Sequence, residues 1–196
     1  YFSEVMGNAT RTLIWNAALI KKIFLPREMF PVASVYVAIV HFVPQLVVLL
    51  AGSLFYGWMP TVLGLAAILA GFAIVTFAAL GLGLIFGCLN VFFRDSENLV
   101  DLILMIATWV SPVLYPADRV KDVVPEWIWH VYQANPVTVA VELFHYGFWS
   151  TATGESVPGI GSIPVLTLIG LVGSLIVLGL GQLAFKRTEG KFAQEL

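Results

Sequence analysis

Apolar residues along this chain come in long unbroken runs rather than in the alternation of a strand or the stripes of a soluble helix. Val32 to Tyr56, Pro60 to Phe93 and Ile163 to Phe185 each exceed the roughly 20 apolar residues that a helix needs to cross a hydrocarbon core. Leu99 to Leu114 is shorter. It still reads as a span, with Asp101 near its polar entry and Asn98 and Tyr115 able to reach the interfaces by local thinning or snorkelling. The expected spans are therefore 32–56, 60–93, 99–114 and 163–185.

Between these runs lie two stretches with a different rhythm. In Ala17 to Phe24, Leu19, Ile20, Ile23 and Phe24 share one helical side while Lys21 and Lys22 turn away, and Pro26 stops the helix. A short basic amphipathic helix within 16–28 is predicted. It could be an interfacial anchor whose lysines meet anionic lipid, or a knob that enters a cytosolic subunit. In the second stretch, Asn135 suits a helix N-cap and Pro136 a first helical position, but the segment to Trp149 is too short to cross. Pro125 to Trp149 then reads as two short helices that enter from the outer face and return. Such backbone is tolerated only under a cover of protein or water, which a second copy of the chain could supply.

Basic residues orient the spans. Lys21, Lys22, Arg27, Arg94, Lys186, Arg187 and Lys191 fall on one side, Arg119 and Lys121 on the other, with Arg11 left uncounted. The side richer in Lys and Arg is cytoplasmic. A crossing at Pro136 to Trp149 would turn this 7:2 distribution into 4:5. Ser150 to Pro164, rich in glycine and proline, is then the outer loop before the last span.

Composition agrees: 59% of residues are hydrophobic, 11% are charged and the mean hydropathy is +0.91, all pointing to an integral membrane protein. A net charge of -2 leaves no basic excess for nucleic acid. Cys88 is the only cysteine, so neither an intrachain disulfide nor a thiolate metal cluster can form. Tyr1 opens the chain without a signal-peptide pattern, and the numbered sequence is expected to begin inside a longer protein.

Candidate chemistry is sparse. No G-x-x-x-x-G-K-[ST] occurs, so this chain does not hydrolyse ATP, and G-x-S-x-G and H-E-x-x-H are also missing. Glu142 and His145 form a single E-x-x-H, where a di-iron bundle needs two such pairs and further carboxylates. No metal site is expected. His41 stands alone in an apolar span, as a bundle hydrogen-bonder or a proton-relay residue. Gly83 and Gly87 form a G-x-x-x-G, suited to close packing within one subunit or at a dimer contact. Asn8-Ala9-Thr10 matches a glycosylation sequon and is read as chance. Aromatic residues crowd the outer half: Tyr56, Trp58, Tyr115, Trp127, Trp129, Tyr132, Phe144, Tyr146, Phe148 and Trp149. They form an interfacial belt, of which a subset could stack on sugar faces in a pore.

The segments Asn16 to Pro31 (NAALIKKIFLPREMFP), Asn90 to Leu99 (NVFFRDSENL), Ser111 to Pro116 (SPVLYP), Asn135 to Phe148 (NPVTVAVELFHYGF) and Phe185 to Leu196 (FKRTEGKFAQEL), in this order, resemble the permease subunit of an ABC-2 type (type V) exporter. The resemblance is to the branch that exports polysaccharides such as O-antigen, teichoic acid or cell-wall galactan on a polyprenyl-pyrophosphate lipid. It runs from end to end and implies an all-α polytopic domain, 1–196, in the bacterial plasma membrane. It also implies that the family's N-terminal amphipathic helix, first span and part of the second precede Tyr1. Phe2 to Trp15 would be the cytoplasmic end of the second span.

The resemblance further implies a homodimer of permeases with two ABC ATPases, which bind the ATP and magnesium, and a lipid-linked glycan moving through the dimer interface for cell-wall biogenesis. Leu19, Lys21, Lys22, Arg27 and Glu28, together with Arg94 and Asp95, would meet the ATPase. Tyr115, Trp127, Trp129, Glu142, Phe144, His145 and Phe148 would line the glycan channel or its outer gate. Relatives often carry arginine where His145 stands, so a fixed charge is replaced here by a titratable group. Two other readings stay open: an outer-face membrane enzyme acting on lipid-linked substrates through Glu142, His145 and His130, or an ABC-2 permease for a drug or small lipid.

Overall fold

The computed structural model describes residues 1–22, 25–150 and 162–195. Ile23 and Phe24, the Trp149 side chain and the outer loop at 151–161 lie outside the described residues. Every regular element among the described residues is helical: α1 Phe2–Trp15, α2 Ala17–Ile20, α3 Met29–Phe55, α4 Val62–Phe92, α5 Ser96–Val110, α6 Asp118–Lys121, α7 Glu126–Ala134, α8 Pro136–His145, a π turn Tyr146–Ser150, and α9 Ile163–Glu195. The all-helical membrane fold expected from the sequence is what forms.

Three of these helices, α3, α4 and α9, are long and apolar enough to cross a membrane. At 15 residues, α5 is shorter than the roughly 20 needed. The last helix does not stop at Phe185; it continues to Glu195, and its extension buries Phe192. End signals are local. Gly57, with φ of 82°, terminates α3 in a Schellman turn, in which Trp58 N–H donates to the Ser53 carbonyl and Gly57 N–H to that of Leu54. The Asn135 side chain accepts from Val137 N–H at 3.0 Å, and Pro136 follows it, so α8 starts where the sequence predicts.

The chain divides into two compact units. The first comprises Tyr1–Pro44, Thr76–Ile106 and Leu175–Leu196. Its core gathers Leu13, Ile20, Leu84, Cys88, Val91, Phe185 and Phe192 from α1, α2, α4 and α9. Close backbone contact sets the spacing of these helices. A Cβ at Gly81 would lie 2.7 Å from the Leu178 backbone, one at Gly83 would lie 2.6 Å from Ala9 Cβ, and one at Gly181 would run into the Gly81 carbonyl oxygen. The glycine pair Gly83 and Gly87 thus seats α1 within this chain.

The second unit comprises Gln45–Val75 and Ala107–Ser174. One core cluster holds Ala67, Ile74, Val139, Ala140, Leu143 and Leu166, and a smaller one holds Ala117, Trp129 and Tyr132. Here too α4 is approached closely: a Cβ at Gly71 would sit 3.1 Å from the Ala140 carbonyl oxygen, and one at Gly147 would sit 2.8 Å from that of Gly64.

Overpacking such a contact costs about 1–3 kcal/mol. Gly181→Leu is expected to lower the thermal midpoint of the purified protein by several degrees. Gly179→Leu, two residues away where a Cβ meets nothing within 4 Å, is the control and should shift it far less.

Candidate functional site

In the first unit the site begins where α1 breaks. The Asn16 side chain donates to the Thr12 carbonyl at 2.8 Å, while its own carbonyl accepts from Leu19 and Ile20 N–H at 3.0 and 2.9 Å. One residue thereby closes α1 and opens α2. The predicted amphipathic helix is only four residues long among the described residues, followed by a turn at Lys21 and Lys22. Leu19 and Ile20 part company, being about 100° apart on a helix. Ile20 is 8% exposed and packs in the core with Phe185 and Phe192, whereas Leu19 is 40% exposed. Leu19, Lys21, Lys22 and Leu25 are exposed side chains, apolar and basic, close in sequence to the buried Ile20.

Arg27 is half-buried, and its guanidinium donates to the Glu189 backbone carbonyl, tying this segment to the extension of α9. Glu28 is also half-buried. Arg94 and Asp95 are exposed in the turn between α4 and α5, where Asp95 accepts from the Asn98 side chain at 3.4 Å. Val91, near the end of α4, shares the core cluster that holds Ile20, so the end of α4 and this basic segment share one core.

Two charge contacts in this unit were not legible in the sequence. The Arg11 guanidinium meets both oxygens of Asp101, at 2.5 and 2.6 Å, with Glu97 at 3.9 Å. His41 Nδ1 pairs with the Glu4 carboxylate, so the lone histidine of α3 has a partner on α1. The available signal was the acid pair Glu97 and Asp101, four apart on one side of α5 and in need of a cation.

In the second unit, the seven residues predicted for a channel or gate separate into groups. Glu142 and His145 come together, with His145 Nδ1 3.6 Å from Glu142 Oε1. Phe144 stacks on Phe148 at 6.3 Å between ring centroids, and Trp58 packs on Phe148 at 5.1 Å. Trp58 is buried, and its indole N–H donates to the Gly147 carbonyl at 2.9 Å. The π turn holds Gly147 against α4, which makes Trp58 part of the site. The other aromatics serve local structure: Tyr115 donates its hydroxyl to the Trp109 and Val110 carbonyls at the end of α5, and Trp129 is buried against Tyr132. Trp127 is 69% exposed on the opposite side of α7 from Trp129. His130 pairs with Glu126 of its own helix at 3.9 Å.

Three buried polar atoms of this unit, Tyr132 Oη, Thr138 Oγ1 and Glu142 Oε1, make no hydrogen bond among the described residues. Burial pushes the Tyr132 phenol up, and the neighbouring Tyr115 hydroxyl and Glu142 carboxylate act in the same direction. Unpaired buried polar atoms are costly and concentrate where a protein does something other than maximise its stability. Among the described residues no group of three or more His, Cys, Asp or Glu side chains is arranged to hold a metal.

Comparison with known proteins adds sequence-wide likeness. A family model described as ABC-2 type transporter matches residues 6–149. The O-antigen export system permease protein RfbA of Klebsiella pneumoniae is 28% identical over 199 residues, covering 100% of this chain and 71% of that protein. A second Klebsiella pneumoniae protein of the same name is 34% identical over 125 residues, covering 62% of this chain and 47% of its own length. The Myxococcus xanthus protein of that name is 30% identical over 125 residues, or 62% of this chain and 46% of the relative.

Glu142 is buried with Oε1 making no hydrogen bond, and its partner His145 is 42% exposed and can turn to water; replacing such a carboxylate by an apolar side chain of similar size is neutral or stabilising when it has no structural duty. Glu142→Met is therefore expected to leave the thermal midpoint unchanged or raise it. A fall of several degrees in a melting experiment would assign Glu142 to the scaffold instead.

Proposed function

The chain belongs to the ABC-2 type transporter family, and from that premise we propose that it is the permease of an ATP-driven exporter carrying a polyprenyl-pyrophosphate-linked polysaccharide across the plasma membrane. It is a multi-pass protein of the bacterial inner membrane and a transporter subunit rather than an enzyme. The relatives export O-antigen by their names, which favours an O-antigen-like glycan over teichoic acid or galactan as cargo. ATP and magnesium belong to a separate ABC ATPase. Two permeases pair with two ATPases, and the second copy covers the short outer helices.

The observation that carries this reading is the exposure of Leu19, Lys21, Lys22 and Leu25 close in sequence to the buried Ile20. A docking knob must offer apolar contact and charge outward, yet be held firmly enough to move the helices behind it. Ile20 meets the second need by packing with Leu13 of α1, Leu84 and Val91 of α4, and Phe185 and Phe192 of α9. Arg27 adds a hydrogen bond to α9. A push on the knob is thus delivered to α1, α4 and α9. For ATP to drive transport, the ATPase must bind one arrangement of these helices better than the other, because a partner without differential affinity shifts nothing.

In the second unit, α7, α8 and the π turn supply the outer gate. Glu142, His145, Phe144, Phe148 and Trp58 are its working residues, with Trp129 and Tyr115 as supports. Stacked aromatic faces give a sugar chain weak apolar contact, which suits passage better than retention.

Lys21→Glu combined with Lys22→Glu tests the assignment in lipid vesicles containing the full-length permease and its ATPase. Co-purification of the ATPase is expected to weaken about tenfold or more, equivalent to about 1.4 kcal/mol, and glycan export to fall with it. The melting profile should stay unchanged. Unaltered association together with unaltered export would refute the docking role.

A further inference from the structure

One side of α1 is polar from Glu4 to Arg11. Glu4, Asn8 and Arg11 recur at i, i+4 and i+7 and are each half-buried, while Val5, Met6, Ala9 and Leu13 between them are buried. Neighbouring helices of the same unit extend this side. His41 of α3 joins Glu4, and Asp101 and Glu97 of α5 join Arg11. The Arg11 end is shallow, about 6 Å along the helix from Trp15. The Glu4 end is deep: eleven residues of rise from Trp15 is about 17 Å, and twelve from Met29 to His41 about 18 Å, near the middle of a 30 Å hydrocarbon core. Yet the His41 side chain is 60% exposed and that of Glu4 is 30% exposed.

Acyl chains are a poor neighbour for such a pair, and ionisable groups at this depth face protein or a water-filled space. Charge narrows the choice. Glu4, Glu97 and Asp101 set three carboxylates against the single guanidinium of Arg11, one terminal nitrogen of which donates to both oxygens of Asp101 while its Nε lies 3.9 Å from Glu97. Such a surface accepts hydrogen bonds from hydroxyl groups and donates few. It repels phosphate.

We propose that this side of the first unit is a water-exposed wall of the cargo path, matched to an uncharged, hydroxyl-rich glycan chain and set against a polyanionic, phosphodiester-linked one. The proposal rests on the exporter reading above and deepens it by naming the cargo's charge class. Sugar hydroxyls bond to the carboxylates in passing, with Asn8 and His41 offering exchangeable partners. A phosphodiester chain brings acceptors only, and meets like charge with no free cation among these residues to offset it.

Two measurements test it. In vesicles, Asn8→Cys should react with a charged, membrane-impermeant thiol reagent at least tenfold faster than Ile176→Cys, an exposed apolar position of α9; the native Cys88 is buried. Equal, slow labelling would overturn the wall and show that a second copy or another segment covers it. In the assembled exporter, a neutral lipid-linked glycan should stimulate ATP turnover at least fivefold more than a phosphodiester-containing one. Glu97→Gln and Asp101→Asn, separately, should narrow that gap. Glu97→Gln, whose carboxylate lies 3.9 Å from Arg11, disturbs the fold least. Equal responses to both glycans in the unmutated protein would overturn the charge selection. No response to either glycan would count against the exporter reading and the cargo half of the proposal with it, while the labelling still judges the wall by itself.

Discussion

Close backbone approach to α4 is the contact on which the rest of the structure depends. Hydrocarbon chains are as apolar as leucine, so helices in a membrane gain little by hiding greasy side chains from it and associate instead where small residues let backbones touch. In the first unit α1 rests on Gly83 and Gly87, and α9 on Gly81. In the second, α8 meets Gly71, and the π turn meets Gly64 and Ile68. The residues proposed for ATPase docking and those proposed for the outer gate are each borne by elements seated on that helix.

Much of this fold is written locally. Unbroken apolar runs announce α3, α4 and α9, Gly57 ends α3, and Asn135 with Pro136 starts α8. Boundaries were harder where an apolar run ends but the helix does not. Lys186 to Glu195 reads as a polar tail, yet it stays helical because Phe185 and Phe192, seven apart, bury the same side. The short basic helix shows a related division. Of its apolar stripe, the core takes Ile20 and leaves Leu19 on the surface.

Pairings across the sequence could not be read at all. Arg11 and Asp101 are 90 positions apart, Glu4 and His41 37, and nothing in spacing or composition joins them. Aromatic residues posed the same difficulty. Trp127 and Trp129 look alike as a pair in an interfacial belt, but a two-residue step on a helix turns them to different surroundings, one out and one into a small core. Among the described residues, Asn90 Oδ1 is the buried side-chain polar atom without a hydrogen bond in the first unit, while the second has three, around α7 and α8.

The π turn Tyr146–Ser150 carries one further implication, for how such a chain can diverge. A π turn is an α-helix that has accepted an extra residue, and the surplus is what presents the Gly147 carbonyl to the Trp58 indole and sets Phe148 against Trp58. Losing a single residue there would not merely shorten a connection. It would restore the regular helical ladder and swing the following side chains by about 100°, so descendants can change the residues of this turn far more freely than they can change their number.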